Sequence, residues 1–165
     1  MKKMLGLGLV GLMAWTAAAV AEIETGVGVD VPVMSAYVWR GQVLNDEAVA
    51  QPGLTAGIGG FTVNAWSSMD LTDNQDSSGE FDEMDWTVSY SKTVGKFELG
   101  AGMVQYTFPN STIETEAEDG TTTVEDYPGT VEVFASVGVD VPLAPALTVS
   151  YDVDEIEGLY AVASV

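Results

Sequence analysis

Every odd position from Val131 to Val141 is valine or alanine: Val131, Val133, Ala135, Val137, Val139 and Val141. The positions between them, Glu132, Phe134, Ser136, Gly138 and Asp140, are mostly polar or small. Period-two alternation puts the two sets on opposite faces of a strand. The sequence Pro142-Leu143-Ala144-Pro145 then breaks the run. Proline brings no N–H to a ladder, so this break reads as a turn. Beyond it Leu147, Val149, Tyr151 and Val153 alternate with Thr148, Ser150 and Asp152. Residues 129–153 thus predict an antiparallel hairpin with one apolar and one polar face. Its strands of roughly 8 to 11 residues exceed the usual soluble strand of about 5–6. Tilted by about 45°, such a strand covers about 25 Å, the height of the apolar band of an outer-membrane barrel.

The same alternation recurs along the chain. Val27, Val29, Val31 and Val33 open a first strand whose phase continues through Ser35, Tyr37 and Trp39, with Pro32 pointing to a bulge or an edge. A polar loop over 40–51 leads to a short strand over 52–58, the tight-turn pair Gly59-Gly60, and a third strand carrying Phe61, Val63 and Ala65 against Thr62, Asn64, Trp66 and Ser68. An acidic loop over 70–83 precedes a strand that sets Met84, Trp86, Val88 and Tyr90 against Asp85, Thr87, Ser89 and Ser91. After a turn at 93–96 comes a fifth strand, Phe97, Leu99, Ala101 and Met103 against Glu98, Gly100 and Gly102. There the apolar side passes to Val104, Tyr106 and Phe108, which predicts a bulge over 103–105. A second acidic loop spans 109–128, and an eighth strand follows a turn at 154–158.

The connections run long, short, long, short, long, short, then short to medium. Short turns on one side and longer loops on the other are the rule of up-and-down outer-membrane barrels. A Greek-key sandwich does not keep that rule. The predicted fold is therefore all-β: an antiparallel up-and-down transmembrane β-barrel with about eight strands in this segment. With the long loops outside, Tyr37, Trp39, Trp86, Tyr106, Phe108, Tyr151 and Tyr160 fall near the outer strand ends, and Phe61 and Phe97 at the inner ends. These are the positions of two aromatic girdles.

The N-terminus changes where the barrel starts. Lys2 and Lys3 precede an apolar run that closes on Ala17-Ala18-Ala19-Val20-Ala21, the make-up of a secretory signal peptide cleaved after Ala21. Residues 1–21 are read as the leader and 22–165 as the barrel domain. Of 5 basic residues two lie in the leader, which leaves Arg40, Lys92 and Lys96 against 25 acidic ones. Such a field repels nucleic acid, and none is expected as a partner. Acidity with low hydrophobicity would mean disorder, but 47% of the residues are hydrophobic and they are regularly spaced. With 0 Cys and 0 His, disulfides, Ser-His-Asp or Cys-His catalysis and the usual zinc ligands are all missing. No catalytic residue, enzymatic activity or cofactor is expected.

The segment Ser35-Ala36-Tyr37-Val38-Trp39-Arg40-Gly41 resembles a group of uncharacterised bacterial outer-membrane β-barrel proteins classed as porins. Pro52-Gly53-Leu54, the strand over 60–66, and the segment from Tyr151 to Tyr160 fit the same pattern. The resemblance covers most of the exported part as pattern. It implies an outer-membrane barrel, a channel, and no particular substrate. The chain departs from that pattern at Ala163-Ser164-Val165, where outer-membrane barrels usually finish on a terminal aromatic. It reads as a fragment lacking later strands; the alternative is an eighth strand closing a small barrel.

Under the barrel reading the polar faces point into the lumen. The candidate lumen-facing residues are Asp30, Asn64, Asp85, Glu98, Glu132, Asp140 and Asp152. Acidic rings favour cations in pores, so the expected function is passive passage of small solutes or cations. One alternative is a structural or adhesive surface barrel with acidic outer loops, its lumen plugged by these side chains with Arg40 and a lysine pairing some of them. Another is a soluble secreted β-sandwich that binds a partner. Expected partners are outer-membrane lipid and lipopolysaccharide, besides small solutes or cations; the pattern sets no oligomeric state. Asp70, Asp73, Asp76, Glu80, Asp82, Glu83 and Asp85 offer oxygen ligands to calcium, but their spacing does not match an EF-hand, and a solvated acidic loop is the reading preferred.

Overall fold

The computed structural model describes residues 25–72, 78–116 and 121–165, which form strands, turns and irregular connections and no helix. The expected leader, residues 1–21, lies outside the described residues. So do Asp73 and Asp76 of the first acidic loop and Glu118 and Asp119 of the second. In chain order the strands are β1 (Thr25–Asp30), β2 (Val33–Met34), β3 (Tyr37–Trp39), β4 (Gln42–Asn45), β5 (Val49–Ala50), β6 (Gly53–Ile58), β7 (Phe61–Asp70), β8 (Phe81–Val94), β9 (Phe97–Thr107), β10 (Thr112–Glu116), β11 (Thr122–Asp126), β12 (Thr130–Val139), β13 (Ala146–Asp152) and β14 (Leu159–Ser164).

Eight of them build one antiparallel meander in the order β1-β6-β7-β8-β9-β12-β13-β14. Strands β1 and β14 are its edges, and no ladder joins them among the described residues. The tight turns follow local chemistry. Gly59 and Gly60, at φ 58° and 87°, both take the left-handed conformation that a two-residue hairpin needs and that only glycine adopts without strain. A Cβ on Gly60 would also stand 2.5 Å from the Ser91 carbonyl oxygen.

The register shows how completely the two faces differ. One row across the sheet reads Val27, Ala56, Val63, Val88, Met103, Val133, Tyr151, Leu159. The adjacent row on the other face reads Gly28, Thr55, Asn64, Thr87, Val104, Glu132, Asp152. Burial is the reverse of a water-soluble domain. The apolar row is exposed, up to 75% at Val27 and 70% at Leu159, whereas Thr62, Ser68, Asp70, Glu83, Asp85, Ser89, Ser91, Glu132 and Asp152 are buried. No second sheet covers the apolar face among the described residues, as a sandwich would require.

Two stretches differ from the sequence expectation. The first strand does not run on to Trp39. It breaks at Pro32, where the Gln51 N–H donates to the Pro32 carbonyl (2.9 Å), and resumes only as the short β2–β5 ladder. The intervening residues, expected as strand end and polar loop, form the separate hairpin β3–β4. The fifth strand carries no bulge. β9 stays in register with both neighbours from Phe97 to Tyr106, and Gln105 is exposed where Val104 and Tyr106 turn inward. Its apolar residues change face because the inner side becomes apolar near the long-loop end, where β3–β4 packs. An irregularity occurs instead between β7 and β8, with Asp82 the extra residue between the pairs Ser68↔Glu83 and Met69↔Phe81. The second acidic loop is itself a hairpin, β10–β11.

Candidate functional site

Hairpin β3–β4 rests on the polar face of the sheet and touches strands far apart in its order. Tyr37 packs on Trp66 of β7, with ring centroids 5.6 Å apart, and hydrogen-bonds Glu83 of β8. Trp39 meets the Tyr106 ring of β9 edge-on at 6.2 Å. Arg40, at the hairpin tip, reaches Glu132 of β12 and Tyr160 of β14. Flat, the path from β7 to β14 would measure about 24 Å at roughly 4.8 Å per strand. One small hairpin touches both ends of it, so the sheet must curl around the hairpin, polar face inward.

Arg40 makes the tightest of these contacts. Its Nη1 donates to Glu132 Oε1 at 2.7 Å and its Nη2 to Oε2 at 2.5 Å, the bidentate fork that a carboxylate matches best. Its Cζ lies 4.2 Å from the centroid of the Trp39 ring and 4.1 Å from that of Tyr160. The Tyr106 hydroxyl donates to Glu132 Oε2 at 3.3 Å. Beside this group Glu83 hydrogen-bonds Asp85. Burial, and then the Glu83 carboxyl, push the Tyr37 phenol up, so at neutral pH Tyr37 is a donor. Among the described residues the buried large apolar side chains are Val49, Trp66 and Tyr106, and the last two lie directly under the hairpin.

Of the residues singled out from the sequence, the fold brings Asp85 and Glu132 together, with Glu83 joining them. Asn64 lies on the same face of β7 and donates to Thr55 Oγ1 at 2.8 Å. Glu98 is at the other, short-turn end, on a shallow cleft with Gly100, Ser136, Gly138 and Thr148. Asp30 is exposed on the edge strand, and an ideal Cβ on Gly53 would stand 2.8 Å from its Oδ1. Asp140 belongs to neither face: it is exposed in the turn after β12, where its N–H donates to the Lys96 carbonyl at 2.7 Å. Asp152 ends β13 and caps the following loop, accepting from Thr130 Oγ1 (2.6 Å), Asp154 N (3.0 Å) and Ile156 N (3.1 Å).

Most of the expected outer girdle is not there. Trp86 and Tyr151 face outward, whereas Tyr37, Trp39, Tyr106 and Tyr160 belong to the inner cluster and Phe108 packs on Tyr127 at 5.2 Å. Phe61 and Phe97 do face outward, Phe61 against Tyr90 at 4.7 Å. No group of three or more acidic side chains is placed to hold a metal ion among the described residues. In the first acidic loop Asp70 instead accepts the Thr72 N–H and hydroxyl, each at 2.8 Å.

Residues 18–158 match the model of a family described as bacterial protein of unknown function, Gcw_chp. The chain belongs to the Gcw_chp family. No curated protein and no solved structure matches it. The match includes β1 through β13 and the whole Arg40–Glu132 cluster except Tyr160, so the infolded hairpin lies within the Gcw_chp region.

Proposed function

We propose that this Gcw_chp chain builds the wall of an outer-membrane β-barrel that lets small solutes pass, cations in preference to anions. The observation that carries the reading is the inverted burial: an unbroken apolar row faces out across eight strands while carboxylates and hydroxyls face in. In water each exposed Val, Leu or Phe forgoes about 1.5–3 kcal/mol of transfer free energy, and soluble monomers rarely leave so continuous a patch uncovered. Lipid covers it at no such cost. Backbone groups in lipid must all be paired, so β1 and β14 need partners. The alternation of long and short connections agrees. So does export through the proposed leader.

The preference for cations follows from the inner face, which carries Asp70, Glu83, Asp85, Glu98, Glu132 and Asp152 against Arg40. A second reading is favoured by the hairpin itself: the bidentate Arg40–Glu132 pair fixes β3–β4 across the inner space, as a plug would be fixed. Planar-bilayer recording separates the two. A channel gives unitary steps whose reversal potential in a KCl gradient lies toward the potassium potential. A plugged wall gives a detergent-stable, heat-modifiable protein and no steps. A reversal potential toward the chloride potential would remove the cation reading.

A further inference from the structure

We propose that Glu132, Tyr106, Trp39 and Tyr160 form a guanidinium-binding cage that Arg40 fills from within the chain, and that guanidinium-bearing solutes compete for it. The inference deepens the reading above, on which the polar face lines the lumen. Its first support is shape. A planar cation has a carboxylate fork in its plane, at 2.7 and 2.5 Å, and aromatic rings close to its Cζ, at 4.2 and 4.1 Å. A planar guanidinium meets both oxygens of the fork with parallel N–H bonds and leaves its faces for aromatic rings, a geometry that a tetrahedral ammonium does not reproduce. The carboxylate is also preset, because the Tyr106 hydroxyl already donates to Oε2.

The second support is the backbone. Arg40 and Gly41 are the central pair of a two-residue hairpin turn, at φ 50° and 81°. The first of those positions suits Asn, Asp or Gly, and an arginine there is strained. The strained arginine is held there by its part-buried fork with Glu132, a local cost offset by a long-range contact. The third support is where the cage comes from. Glu132, Tyr106 and Tyr160 belong to β12, β9 and β14 of the sheet, and only Trp39 shares the hairpin with Arg40. Glu132 is only 5% exposed, and a cation beside it offsets the desolvation of its charge. With Arg40 removed, an entering cation takes its place beside Glu132.

The test uses methylguanidinium as probe, with methylammonium at equal ionic strength as control. The exported chain and its R40A and R40Q variants are folded in detergent, and occupancy is read by isothermal titration calorimetry. R40A and R40Q are expected to titrate saturably with methylguanidinium and at least tenfold more weakly with methylammonium. The unsubstituted chain is expected to need at least tenfold more probe, because a tethered ligand competes at high effective concentration. Adding E132Q to R40A is expected to abolish the titration. Flat titrations in both single variants, equal response to the two probes, or a titration unchanged by E132Q would each overturn the cage. Gel migration of boiled and unboiled samples reads the barrel separately. A heat shift with flat titrations removes the cage alone, and saturable binding without a heat shift removes the barrel.

Discussion

At the scale of single residues, Arg40 and Asp152 each hold partners from other parts of the chain. Truncating one partner of a buried charge pair leaves the other desolvated and alone, at a cost of about 3–5 kcal/mol when burial is complete. Arg40 keeps 18% exposure, so R40A is expected to cost less, about 1–3 kcal/mol, read as an earlier midpoint of heat-induced migration change. E132Q should cost a similar amount, and the double variant less than the sum, since one interaction is removed in both. Asp152 joins the end of β13 to the following loop, accepting from Thr130 Oγ1 and two loop N–H groups. D152A removes these acceptors and is expected to cost about 1–3 kcal/mol, read as an earlier midpoint of heat-induced migration change. An unchanged midpoint would show that these hydrogen bonds do not hold the loop.

At the scale of elements, the alternation was legible and the hairpin was not. The pattern of valine and alanine gave β12 and β13 nearly to the residue, because period two is imposed wherever one face meets an apolar medium and the other does not. It failed at Ser35 to Gln51 for a physical reason. Tyr37 and Trp39 keep the alternation of a wall strand, yet they belong to a hairpin whose apolar side finds its partners inside. A signal was present: Trp66 falls in the polar phase of its strand among Thr62, Asn64 and Ser68, and Tyr106 continues the phase of Glu98, Gly100 and Gly102. Large aromatics on a polar face announce something packed against that face. Gly102 belongs to the same inner surface. A Cβ there would stand 2.5 Å from the Val88 carbonyl oxygen and 2.7 Å from Phe134 Cζ. G102V is therefore expected to abolish the heat-modifiable band, with G102A intermediate, because the backbone oxygen cannot give way.

At the scale of the whole molecule, the two faces should respond oppositely to charge. Val88 is outward and 48% exposed in the middle of β8, and its neighbour Ser89 is inward and 4% exposed. A lysine on the lipid side of a barrel costs about 2–4 kcal/mol at mid-depth, whereas a lumen position is far less sensitive to lipid. V88K is expected to reduce insertion into lipid vesicles, measured as the protease-protected fraction, whereas S89D is expected to insert and to change ion preference. Equal insertion of V88K and the parent chain would mean that the apolar row does not meet lipid. The candidate lumen residues were legible as a face but not as a site. Alternation says which way Asp85 and Glu132 point, but only the curl of the sheet says that they meet while Glu98 remains at the far end.

The Arg40–Glu132 pair spans 92 positions of sequence, in a sheet whose strands otherwise pair mostly with their neighbours along the chain. A meander can zip hairpin by hairpin, each step closing a short loop. The long contact cannot form until β12 is in place, so it belongs to the end of the process. Stopped-flow refolding of R40A should then show an unchanged folding rate and a faster unfolding rate, the signature of an interaction absent from the transition state. In kinetic terms the arginine is a late-closing lock: it prolongs the folded state without helping the chain to reach it.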